Sequence, residues 1–184
     1  MTASSSLRDL CQQFASEGRI EAIVLRPERD EPAILVDEAR AEPGRGLIGD
    51  RRANAARSGR QSTKRELTLF QAEHLPVVAS WCGLTELQPS RLRRNLLVSG
   101  LNLIAMRSPF ADVVLEWMVG DEVIIQITGP CDPCSKMATE LGLGSYNALR
   151  GHGGMTARIL TGGLIRVGDK VCLHAARQLE PKAK

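Results

Sequence analysis

Short apolar segments of strand length, each close to a glycine or proline, recur along the chain and limit its fold more than any other feature. Few segments carry the period of a helix, and these do not alternate with the strands as βαβ units, which disfavours a doubly wound parallel sheet. The pattern predicts a mainly β (α+β) fold with helical decoration, either a barrel or a sandwich. The predicted strands cover residues 19–26, 33–38, 66–70, 113–119, 122–129, 155–163 and 170–175, with a turn at Gly120 and Asp121. In addition, PSRLRRNLLVSG (residues 89–100) is predicted to form a helical turn that leads into a strand.

Size and composition are those of a single domain of 184 residues. Aromatic residues make up 3%, so we expect an aliphatic core and no platform for stacking single-stranded bases. The sequence lacks an apolar run long enough for a membrane span and the basic and apolar regions of a signal peptide. We therefore expect a cytoplasmic protein with reduced thiols, and the odd count of five cysteines excludes a complete disulfide framework.

A basic stretch occupies residues 45–65, where Asp50 is the one acid. It has no hydrophobic period after Ile48, which predicts a mobile loop. Its charge allows weak, salt-sensitive binding of nucleic acid, but few aromatics and no recognition helix make a nucleic-acid partner the less favoured alternative. The basic residues are Arg45, Arg51, Arg52, Arg57, Arg60, Lys64 and Arg65.

The segment GPCDPCSKMATELGLGSYNALRGHGG, residues 129–154, carries the most chemistry. Asp132 is a good N-cap, Pro133 suits the first helical position, and Cys134 then falls in the first turn. Gly142 or Gly144 can end this helix. Free backbone N–H groups there favour an anion such as a thiolate, which can attack an electrophile, carry sulfur as a persulfide or ligate a soft metal.

Three other interpretations of these cysteines remain open. Cys134 shares a helical face with Met137 and Leu141, as an inert buried cysteine would. Cys131 and Cys134 form a C-x-x-C pair that suits a thiol redox switch, although the usual βαβ setting is missing. A structural zinc site needs four ligands, and the candidates to complete it lack companion spacing: Cys82, Cys172 and His152.

Five motifs, taken in order, resemble a MOSC domain, named after the C-terminal domain of molybdenum cofactor sulfurases. The resemblance covers about residues 19–173 and is strongest to the short stand-alone bacterial members. It implies a closed β-barrel like that of the pyruvate kinase β-barrel domain, with an N-terminal helical extension (residues 1–18) and a C-terminal tail (174–184). The motifs are GLIGDRR, RELTLFQAEHLP, RLRRNLLVSG, GPCDPCSKM and RGHGGMTARILTGGLIRVGD.

The resemblance also implies a function: binding of the molybdenum cofactor (molybdopterin) or carriage of sulfur on a cysteine. In reductases of N-hydroxylated substrates the family cysteine is thought to ligate molybdenum, and Cys134 matches it. Cys131 belongs to this subgroup's form of the motif, and His152 is a candidate proton donor. The resemblance places the remaining candidates near the cofactor: Gly49, Asp50, Arg52, Arg94 and Asn95.

The chemistry of these residues suits the group, since arginine forks bind phosphate and asparagine can pair with a pterin edge. The arginines also fit a solvated face, and Gly49 fits a turn alone. The chain lacks the aminotransferase-like domain of the eukaryotic sulfurases, so we expect no pyridoxal phosphate. Electrons or sulfur would come from a separate electron-donor protein or a cysteine desulfurase, and the substrate would be a small molecule.

Overall fold

A computed structural model describes residues 6–56 and 64–180. In this part of the chain, no helix is both long and apolar enough to cross a membrane. The strands are β1 (Gly18–Leu25), β2 (Ile34–Val36), β3 (Glu38–Glu42), β4 (Gly46–Leu47), β5 (Leu67–Gln71), β6 (Leu96–Ser99), β7 (Val113–Val119), β8 (Val123–Pro130), β9 (Met155–Thr161), β10 (Gly163–Arg166) and β11 (Lys170–Gln178). The helices are α1 (Leu7–Leu10), α2 (Arg51–Ala56), α3 (His74–Trp81), α4 (Ser135–Leu141), α5 (Ser145–Ala148) and the short 3-10 helix Pro89–Leu92.

Seven strands close into a barrel, which confirms the predicted mainly β fold with helical decoration. The order is β1, β6, β5, β9, β8, β7 and β11, and β11 pairs again with β1. All these pairs are antiparallel except β5–β6, and β2 extends the sheet beyond β1. Closure leaves no unpaired edge within the barrel. A separate small sheet has the order β10, β3 and β4.

The barrel interior is mainly aliphatic, as the composition predicts. In β8 every second residue points inward, and Val123, Ile125 and Ile127 are buried. The exception is the fully buried Trp117, whose indole N–H donates to the carbonyl of Met106 at 2.8 Å. A second, smaller cluster joins α3 and α4 to the outside of the barrel, next to the loop that carries Cys131 and Cys134.

Two sequence predictions about helix ends and linkers need correction. Ser6 caps α1 in a capping box with Asp9, but the helix ends at Leu10. The linker predicted after residue 163 contains β10, which pairs with β3. The domain boundary at residue 173 stays a prediction, and β11 continues past it, paired with β7 as far as Gln178.

The predicted mobile loop at 45–65 is also partly wrong. Residues 51–56 form α2, because the Asp50 carboxylate accepts the backbone N–H of Arg52 at 3.0 Å and holds the start of the helix. Arg57 and Arg60 lie outside the described residues.

Candidate functional site

The loop between β8 and α4 carries the two cysteines of the C-x-x-C pair in different environments. Cys131 directly follows β8 and is buried, with an exposed fraction of 3%, whereas Cys134 is exposed. Cys134 is the N-cap of α4 and has an extended backbone; its carbonyl accepts the N–H of Met137 at 2.8 Å. The exposed thiol of Cys134 can therefore meet a ligand or a partner without a change of fold.

The predicted start of this helix is wrong by two residues. Asp132 is not the N-cap, Pro133 precedes the helix, and Cys134 lies at its boundary rather than in the first turn. The cause is Arg94, whose Nη2 donates to the carbonyls of Cys131 at 2.9 Å and Asp132 at 3.4 Å. These bonds keep residues 131–132 out of the helix. The predicted end is correct, since Gly142 closes α4 with a φ of 92°.

Arg94 is a buried clamp at the centre of the site. The residue is 6% exposed, and its Nε also donates to the carbonyl of Gly153 at 2.6 Å. It thereby joins the cysteine loop to the RGHGG loop. Burial lowers the pKa of Arg94, while interaction with Cys131 and Cys134 acts in the opposite direction. The buried cation therefore favours an anion at this loop.

Two glycines allow the RGHGG loop to approach the barrel rim. A Cβ atom on Gly153 would overlap the carbonyl oxygen of Cys131, and one on Gly154 would overlap that of Leu69. Gly154 also has a φ of 88°, which disfavours other residues. Its carbonyl accepts the backbone N–H of Cys131 at 2.8 Å. The RGHGG loop therefore packs closely against the cysteine loop and the barrel rim, and glycine at these two positions makes the close approach possible.

Asp50 and Asn95 form a buried polar network beside the clamp. Asn95 Nδ2 donates to Asp50 Oδ2 at 3.2 Å and to the carbonyl of Val24 at 3.3 Å, and Asn95 Oδ1 accepts the hydroxyl of Thr68 at 2.8 Å. Asp50 Oδ2 also accepts the backbone N–H of Arg26 at 3.2 Å. Both side chains hold barrel strands together, and direct contact with a cofactor stays a prediction for both.

The remaining predicted residues of the GLIGDRR motif lie further out. Gly49 is exposed, with a φ of 94° that suits a turn. Arg52 is exposed, and its guanidinium donates to the carbonyl of Arg65. Arg65, which the sequence does not predict for the site, has its Nη2 at 3.5 Å from the sulfur of Cys131. The one sequence signal that could have placed Arg65 near the site is its position directly before the predicted strand that becomes β5.

His152 lies among aromatic rings rather than alone. Its ring centroid is 4.8 Å from that of His74 and 4.9 Å from that of Trp81, both in edge-on arrangements. Burial, with a smaller contribution from His152, lowers the pKa of His74 and favours its neutral form. No motif in the sequence assigns a role to His74. Donation of a proton by His152 stays a prediction.

A pocket of about 590 Å³ lies beside α4 and is lined by as many basic as acidic side chains. The basic ones are Arg26, Arg51, Arg93 and Lys136, and the acidic ones are Glu28, Asp30, Glu31 and Glu140. The Nη1 atom of Arg26 donates to the carbonyl of Arg93 at 3.0 Å. Burial lowers the pKa of Arg26, the charge of Asp50 opposes this, and the neighbouring arginines add to it. One of the acidic side chains, Asp30, pairs with Lys136 at 3.5 Å.

Within the described residues, no group of three or more His, Cys, Asp or Glu side chains could hold a metal ion. The fold and the site define a class: a closed β-barrel with an exposed cysteine at its rim, in a loop held by a buried arginine. The chain belongs to the MOSC domain family, whose model matches residues 49–172.

Solved structures share this fold. The chain superposes on the YuaD protein of Bacillus subtilis with a TM-score of 0.69 and 17% identity, over 85% of this chain and 94% of YuaD. It superposes on YiiM of Geobacillus stearothermophilus with a TM-score of 0.64 and 18% identity, over 86% of this chain and 75% of YiiM. It superposes on YiiM of Escherichia coli with a TM-score of 0.58 and 18% identity, over 85% of this chain and 70% of YiiM. The search of curated proteins gives no match.

Proposed function

We propose that the chain binds the molybdenum cofactor at the barrel rim, with the thiolate of Cys134 as a ligand of the metal. The observation that carries this proposal is the exposed Cys134 in a loop held by the buried Arg94. A structural thiol at this place would be expected to face the core, as Met137 and Leu141 of the same segment do. A soft sulfur ligand on a fixed loop suits a soft metal centre.

The surrounding residues fit the rest of the cofactor. Its phosphate needs cationic donors, and Arg51 and Arg93 line the pocket of mixed charge beside the cysteine helix. Arg26 supports this fit, since its Nε is buried without a hydrogen-bond partner among the described residues. An oxygen of a bound anion would satisfy that N–H. When bound, the cofactor would supply a redox-active metal for the reduction of a small, N-hydroxylated substrate.

The chain's own residues would orient and protect this centre. Arg94 fixes the loop, and the Asp50–Asn95 network fixes the strands behind it. Arg65 would hold Cys131, while His152 would donate a proton at the substrate. Electrons would come from a separate donor protein. We expect no role for pyridoxal phosphate.

Carriage of sulfane sulfur by Cys134 is the second candidate function. The same exposure that allows metal ligation leaves the thiol open to a cysteine desulfurase. A persulfide forms when the thiolate accepts sulfur from the persulfide of such a donor, whose own cysteine is released as a thiol. Both functions use one sulfur, so the site residues are the same.

The experiment that tests the proposal is expression in bacteria that make the cofactor, followed by metal and pterin analysis and mass spectrometry of the peptide carrying both cysteines. We expect stoichiometric molybdenum and pterin. A persulfide on Cys134 without metal would favour sulfur carriage, and a Cys131–Cys134 disulfide without either would favour the redox switch. A metal-free protein with an unmodified Cys134 would contradict both proposals.

A further inference from the structure

A cleft of about 600 Å³ opens on the other face of the cysteine loop. Three parts of the chain form its walls: the N-terminal segment at Leu10 and Phe14, the loop after β6 at Leu103 and Ile104, and the barrel rim at Met155. Its volume lies within the range of small-molecule sites, about 300–1,000 Å³. Apolar side chains from separate segments thus enclose a space of suitable size.

The walls are held in place by contacts outside the cleft. The ring of Phe14 packs edge-on against Trp117, with centroids 4.7 Å apart. Arg8, next to the N-terminal wall, pairs with Asp112 at 3.0 Å and lies 4.4 Å above the ring of Phe110. On the opposite side, the backbone N–H of Leu103 donates to the side chain of Gln71 at 3.1 Å. The cleft is therefore largely preformed.

The surface of the cleft is mainly apolar, and its charged side chains balance each other. Uncharged polar groups are contributed by Gln13, Gln71 and Ser108. Arg107 and Asp132 contribute one charge of each sign at its edge. His74 and His152 both line it. Their ring centroids are 4.8 Å apart, so the two imidazoles form one part of the wall.

We propose that this cleft binds an uncharged, largely apolar small molecule that packs against the rings of His74 and His152. The apolar walls supply the area that drives binding, and the two imidazoles are polar groups that can orient the molecule. A molecule with net charge would lose its hydration without a matching counter-charge. The cleft reaches Cys131 and the candidate proton donor His152 but not Cys134, so it adjoins the proposed metal ligand without including it. Binding in the cleft does not require that the chain also binds molybdenum.

A fluorescence titration of the cofactor-free full chain with the neutral dye N-phenyl-1-naphthylamine tests the proposal. We expect saturable binding to one site. Leu10→Glu, which places a charge in the wall, should weaken binding about tenfold or more. Leu7→Glu is the matched control, since Leu7 lies on the same short helix and is 72% exposed against 49% for Leu10, but does not line the cleft. Its affinity should stay within about twofold of wild type.

The three histidines give a second measurement in the same titration. The imidazole NMR signals of His152 and His74 should shift with dye occupancy, whereas that of His174, exposed on β11, should not. Equal weakening by both leucine substitutions, shifts of all three signals alike, or absence of saturable binding would overturn the proposal.

Discussion

Gly154→Ala is expected to lower the free energy of unfolding by at least about 3 kcal/mol, because it combines a steric overlap with a strained backbone. The new methyl group would overlap the carbonyl oxygen of Leu69, which belongs to barrel strand β5. The loop would then have to move away from the rim and weaken the bond from Cys131 to Gly154. Thermal unfolding followed by circular dichroism should show a midpoint lower by about 6–12 °C.

Gly151→Ala is the matched control for this prediction. Gly151 lies in the same loop with a φ of 76°, but a Cβ atom there would meet nothing within 4 Å. Its substitution therefore adds the backbone strain without the overlap, and we expect about 1 kcal/mol of destabilisation. Equal losses in the two variants would show that the RGHGG loop does not depend on close approach to the barrel.

Arg94→Met is expected to have the second large effect, about 3 kcal/mol or more. The variant keeps an apolar stem but leaves the carbonyls of Cys131 and Gly153 without the donor they have in wild type. The cysteine loop should then open, and the buried Cys131 should react with N-ethylmaleimide about tenfold faster or more. Urea unfolding and timed alkylation with mass spectrometry measure the two effects.

Arg93→Met controls for the loss of a positive charge in the same motif. Arg93 is only partly buried and lines the pocket of mixed charge beside α4. We expect little change in stability and no change in the alkylation of Cys131. If Arg94→Met left Cys131 protected, the guanidinium would not be what holds the loop, and the role assigned to it would be wrong.

The local patterns of the sequence predict much of the barrel, because alternation and turn residues act over a few positions. The strands β7 and β8 meet at the predicted turn of Gly120 and Asp121, and the helical turn at 89–92 leads into β6 as expected. β10 is not predicted as a strand because it has only four residues and begins with glycine. It becomes a strand by pairing with β3, which is distant in sequence.

The candidate site is predictable in its residue types but not in their roles. The motifs bring Arg94, Asn95 and Asp50 to one region, yet only the fold reveals that these side chains bind other parts of the chain. The helix start at Cys134 depends on Arg94, which precedes it by some forty residues, so no local capping rule finds it. Arg65 and His74 join the site through the same kind of long-range packing.

The central claim is that the sulfur of Cys134 is the chain's ligand for molybdenum. The most direct test is the molybdenum content of wild type and Cys134→Ser, purified side by side from cells that make the cofactor, with Cys172→Ser as a control on β11. We expect Cys172→Ser to retain the metal and Cys134→Ser to lose more than about nine-tenths of it. A Cys134→Ser protein that stays folded and holds as much molybdenum as wild type would contradict the claim.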